Sequence, residues 1–95
     1  MLTPEEILEC NGYSIEDLQE EETMFFRNPD FTTAIIGISE DNRVIYDYDK
    51  MIEFLVEYED MTYEDAADFV CSDTIRALHH FPGNKPIVMF PFIEN

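Results

Sequence analysis

Two short β-branched runs, set close together, constrain this chain more than any other feature. Thr33 to Ser39 reads T-A-I-I-G-I-S, and Arg43 to Asp47 reads R-V-I-Y-D. Between them lie Glu40-Asp41-Asn42, residues that favour turns. Runs of this length and composition are strands, and a three- to four-residue connection makes them an antiparallel hairpin. Gly37 inside the first run predicts close approach by a neighbouring element. Asp47 closes the second run and is placed to cap a helix over about 48–59. Tyr48, Met51, Ile52, Leu55 and Tyr58 recur at helical spacing on one face of it.

The flanking sequence extends this frame. Thr62-Tyr63-Glu64-Asp65 opens a further helix with a capping-box-like start. Ala66, Phe69, Val70 and Cys71 are its expected inward residues. The helix is expected to end or bend near Ser72-Asp73, with another turn over 74–78. Phe81-Pro82-Gly83-Asn84 reads as a loop, and Ile87 to Phe90 as a third strand framed by Pro86 and Pro91. Prolines at both ends favour an edge position, because proline cannot donate to a sheet ladder. Upstream, Thr3-Pro4-Glu5-Glu6 has the form of a capping box with proline at the first helical position. Ser14-Ile15-Glu16-Asp17 opens a second short helix. Helices this short are marginal alone. Met24, Phe25 and Phe26 read either as a short strand or as an apolar plug.

The expected fold class is therefore α+β. A small antiparallel sheet, made of a β-hairpin and a returning C-terminal strand, packs against two helices and carries a short helical N-terminal arm. At 95 residues the chain fits one domain. Residues 1–22 form the acidic arm and 23–95 the core. A 45% hydrophobic content with 8 Phe and 5 Tyr is enough for one packed core, and sets the chain apart from a disordered polyanion.

Charge is the other strong constraint. The chain holds 22 Asp plus Glu against 5 Lys plus Arg, a formal −17. Direct binding to nucleic acid or to an anionic membrane needs a basic footprint, which such a balance excludes. Two readings of the charge remain: solvation, or a surface for a basic partner. The acids are arranged in rows. Asp49, Glu53 and Glu57 recur at i, i+4, i+8, and Glu64 with Asp68 repeats the spacing, as do Glu16 with Glu20 and Asp17 with Glu21. Like charges four residues apart destabilise a helix by a few tenths of a kcal/mol per pair. A row steps by about 6 Å, four residues of helical rise. Neighbouring phosphates on one nucleic-acid strand repeat at a similar distance, about 6–7 Å. Carboxylate rows of this kind can occupy a groove that ordinarily binds phosphates. The candidate partner-binding residues are Asp49, Glu53, Glu57, Glu64, Asp65 and Asp68.

Enzyme and cofactor signals are lacking. The three glycines are isolated, so no nucleotide-binding loop is present. Adjacent His79 and His80 diverge by about 100° on a helix and do not share a metal as an i, i+4 pair does. The acids after Asp47 lack the glycine and terminal glutamate of a calcium loop. No catalytic residue, metal or cofactor is expected. Arg76, near Asp73, reads as a structural ion pair or cap. Cys10 and Cys71 fit no metal spacing and suggest a reducing compartment. Met1 to Glu9 holds three Glu and no apolar run, and no stretch approaches the length of a membrane span. A cytoplasmic location is the expectation.

The run from Thr33 to about Met89 resembles a family of small phage, prophage and Gram-positive bacterial proteins. A-I-I-G-I-S at 34–39, R-V-I-Y-D-Y-D-K-M at 43–51, M-T-Y-E-D-A at 61–66, T-I-R-A-L at 74–78 and P-I-V-M at 86–89 carry the likeness. The resemblance implies a mobile-element setting and supplies no activity. Joined to the acidic rows, it gives the expected function: a non-enzymatic acidic protein that occupies the basic, nucleic-acid-binding surface of a host protein, as an anti-CRISPR-like inhibitor of a host nuclease does. The alternative is a small phage structural or regulatory module, monomeric or homo-oligomeric, whose acids only solvate it.

Overall fold

A computed structural model describes residues 3–27 and 29–92. Strands β1 (Ile35–Ile38) and β2 (Val44–Asp47) form the expected antiparallel hairpin, with Ile38 opposite Val44 and Ile35 opposite Tyr46. Asn42 closes the connection at a φ of 63°, a left-handed conformation that asparagine tolerates. The Ser39 N–H donates to Arg43 O at 2.8 Å and the Asn42 N–H to Ser39 O at 3.0 Å. The register shifts between Ile35 and Gly37. Gly37 thus marks a β-bulge, not a close approach: a Cβ built there meets nothing within 4 Å.

Strand β3 (Ile87–Met89) completes a sheet of order β1-β2-β3, so β2 is central and β3 lies at an edge, as its prolines require. One expectation needs correction. The sheet is mixed, because β3 runs parallel to β2, with Ile45 opposite Ile87 and Asp47 opposite Met89. The reason is the connection. Asp47 leads straight into helices, and a chain that crosses a sheet face through helices returns parallel to the strand it left. Along β2, Val44 and Tyr46 are fully buried while Ile45 and Asp47 are half-buried, the period-two alternation of a strand covered mainly on one face.

The crossover contains α3 (Tyr48–Tyr58) and α4 (Tyr63–Phe69), followed by a π turn (Val70–Thr74), a short α5 (Ile75–Ala77) and a 3-10 turn (Leu78–His80). The expected bend near Ser72-Asp73 is the π turn, where one extra residue widens the helix. Met51, Ile52, Phe54 and Leu55 are the buried residues of α3. Each such apolar side chain contributes about 1.5–3 kcal/mol on leaving water. Phe54 replaces Tyr58 in the expected stripe. Tyr58 is the last residue of α3, stays 49% exposed and lays its ring 4.9 Å from that of Phe54. Cys71 is also exposed, because the π turn carries Val70 and Thr74 inward instead.

The N-terminal arm is docked on the core. Helices α1 (Pro4–Cys10) and α2 (Ile15–Glu20) bury Leu8 and Leu18, respectively. The capping box at Thr3 is complete: Glu6 N–H donates to Thr3 Oγ1 at 3.2 Å and Thr3 N–H to Glu6 Oε1 at 3.1 Å. Residues 24–26 are a plug and not a strand. Thr23 makes one isolated parallel bridge to Asn84, and Phe26 then enters the core against Phe31, Tyr46 and Phe81. Among the described residues no helix is long and apolar enough to cross a membrane.

Candidate protein-binding surface

Helices α3 and α4 carry all six candidate residues. Asp47 caps α3, accepting the Lys50 N–H at 3.1 Å, and Thr62 caps α4, accepting the Asp65 N–H at 3.1 Å. Burial of one stripe of α3 then leaves Asp49, Glu53 and Glu57 exposed on the opposite side. On α4, Ala66 goes to the core and Glu64, Asp65 and Asp68 stay exposed.

Helix physics explains part of this acidity. Asp49, Glu64 and Asp65 lie in first turns, where the helix dipole favours a negative charge. It does not explain Glu57, which sits in the last turn of α3, the negative end of the dipole, where no basic residue stands. Nor does local pairing explain the rows. The ion pairs among the described residues are Arg27 with Glu5 at 2.6 Å and Arg43 with Asp41 at 3.8 Å, and neither involves α3 or α4.

The two helices form a hairpin of their own. A short link at 59–62 joins them, and the end of the α4 segment returns to the start of α3, where Tyr48 Oη and Cys71 Sγ lie 3.5 Å apart. Cys71 follows Asp68 by three residues, so its contact with Tyr48 brings the C-terminal end of this segment to the start of α3. Tyr48 and Cys71 thus mark a seam between the start of α3 and the end of the α4 segment, with Asp49 beside it. On α3, at 100° per residue, the order outward from the buried Ile52 is Val56, Asp49, Glu53, with Glu57 beyond Glu53 toward the Phe54 side. Glu53 stands opposite the buried stripe of α3, and Asp65 lies about 100° round α4 from Glu64.

Aromatic residues stand beside this seam. The Phe90 ring packs against Tyr48, tilted by 39° with centroids 4.8 Å apart. Phe90 is 59% exposed and Tyr63 65%. The Cys71 contact, with burial and the nearby Cys71, Tyr63 and Asp49 groups, pushes the Tyr48 phenol up to about 12, so it is a neutral hydroxyl at physiological pH. The one sequence signal for an outward Phe90 is Pro91, which stops the ladder beside it.

Other candidates from the sequence are not assembled into sites. His79 and His80 are exposed in the 3-10 turn, and no group of three or more potential metal ligands exists among the described residues. Arg76 is exposed, and the ion pair expected with Asp73 is not formed. Cys10 and Cys71 are free thiols. No family model, curated protein or solved structure matches the chain.

Proposed function

We propose that this is a non-enzymatic acidic binding protein of a phage or other mobile element, acting in the host cytoplasm on a basic, nucleic-acid-binding surface of a host protein. A host nuclease is the concrete target class, with inhibition of the anti-CRISPR kind as the outcome. The observation that carries this reading is the pair of acidic rows on α3 and α4. They are exposed, they make no ion pair with a described basic residue, and they include charge at a helix C-terminus that costs stability. A net −17 steers such a surface toward a positive groove and makes association fast and salt-sensitive. The mobile-element setting rests on the sequence resemblance.

Capture from host lysate on the immobilised full chain tests the reading. The expected catch is a nucleic-acid-binding protein that is released by salt and displaced by its own DNA or RNA. The combined Asp49→Lys, Glu53→Lys, Glu57→Lys variant should lose it while keeping its thermal transition. Retention by that variant, or a catch indifferent to nucleic acid, overturns the proposal.

A further inference from the structure

We infer that the α3–α4 seam is an arginine seat, in which Tyr48, Tyr63 and Phe90 offer ring faces to a guanidinium while Asp49, Glu64 and Asp68 hold its charge. This rests on the reading just proposed and specifies its contact: an arginine-bearing segment of a basic nucleic-acid-binding protein.

Singly exposed aromatics need no explanation. These are gathered. Phe90 is packed against Tyr48, and Tyr63 lies close enough to influence the Tyr48 phenol. Phe90 and Tyr63 nevertheless keep well over half their surface in water. Large rings left wet beside charged groups mark interaction surfaces, where aromatics supply most of the binding energy at little entropic cost. The Tyr48 hydroxyl also lies 3.5 Å from Cys71 Sγ, which ties the ring pair to the end of the α4 segment.

The chemistry around the rings selects the occupant. Asp49 follows Tyr48 directly, Glu64 follows Tyr63, and Asp68 lies one turn from Cys71. A neutral apolar partner would have to strip water from these carboxylates without compensation. A cation gains from both ring faces and carboxylates. Arginine suits the site better than lysine. Its planar, weakly hydrated guanidinium stacks on a ring while its edge donates paired hydrogen bonds to a carboxylate, whereas an ammonium is a compact, strongly hydrated point charge.

The test uses the full chain titrated with blocked hexa-arginine and hexa-lysine peptides and followed by NMR. Hexa-arginine should bind about three- to fivefold more tightly than hexa-lysine, the preference expected of cation–π contacts. The largest shifts should fall on Tyr48, Tyr63 and Phe90. A Tyr63→Leu, Phe90→Leu variant, which keeps apolar bulk at two exposed positions and removes two of the three rings, should lose most of the hexa-arginine preference and keep the same steep salt dependence. Equal affinities for the native chain, or shifts confined to the acidic residues, overturn the arginine seat and leave the acidic reading standing. Failure of both peptides to bind at low salt overturns the two together. Sedimentation of the native chain as a dimer that the double variant abolishes would assign the rings to a second copy and also overturn the seat.

Discussion

The backbone N–H of Phe26 donates to Tyr46 Oη at 3.2 Å, and the two rings lie 4.7 Å apart. A phenol from the central strand thereby fixes the segment that links the N-terminal arm to the core. Burial, opposed in part by that bond, pushes the Tyr46 phenol well above its ordinary range, so it stays neutral. Tyr46→Phe keeps the packing and orphans a buried amide. The expected cost is about 1–3 kcal/mol in urea unfolding.

Gly83 and Gly37 should respond to alanine in opposite ways. A Cβ at Gly83 would run into the Glu22 carbonyl, a backbone atom held by its bond from the Asn84 N–H. Gly83→Ala should therefore lose about 1–3 kcal/mol, the range typical of overpacking. Gly37 has open space and no left-handed φ. Gly37→Ala should be neutral or stabilising by up to about 1 kcal/mol, since it reduces the freedom of the unfolded chain. Thermal melts of the two variants make the comparison.

Arg27 ties α1 to the plug through Glu5 and also lies over the Phe25 ring at 5.2 Å. Partial burial alone would raise the Glu5 pKa, but the Arg27 hydrogen bond and charge, with smaller hydrogen bonds, hold it below the ordinary 4.5. A depressed carboxyl stabilises above its unfolded pKa and loses that contribution as pH falls through its folded pKa. The stability gap between the native chain and Arg27→Met should be constant from pH 7 to about pH 5 and then narrow below about 4.5. The share due to the Phe25 contact should remain. As a surface pair it is worth within about 1 kcal/mol, so paired urea titrations at each pH are needed.

Glu53→Lys separates stability from function. Lysine there replaces two like-charge pairs, with Asp49 and Glu57, by opposite-charge pairs, each worth a few tenths of a kcal/mol. The variant should melt higher than the native chain and bind a basic partner less tightly. A variant that gains stability and loses no affinity would mean that the rows serve solvation only.

The hairpin and α3 were legible because β-branched runs, turn residues and a capping aspartate agree with one another at Thr33 to Tyr48. The direction of β3 was not, since a period of two is the same in parallel and antiparallel strands. Periodicity placed Tyr58 and Cys71 inward because it assumes an endless regular helix. One lies at a helix end and the other in a π turn. The acidic rows were visible as spacing, but the approach of Cys71 to Tyr48 depends on how the chain folds back after α3. Phe90 and Tyr63 were indistinguishable from core aromatics, because exposure is a property of what the fold leaves uncovered.

The parallel pairing of β2 with β3 also has a temporal side. Ile45 meets Ile87 only after the helices between them are in place, a closure across about forty residues, whereas the hairpin closes over a few. Contacts of such separation cost the most chain entropy to close and form after the local ones, past the rate-limiting step. Weakening β3, as Val88→Ala does, is expected to speed unfolding in stopped-flow measurements while leaving refolding nearly unchanged. Until β3 arrives, β2 presents an open edge, and at high concentration the nearest strand able to fill it belongs to another chain, which makes strand exchange the characteristic folding error of this topology.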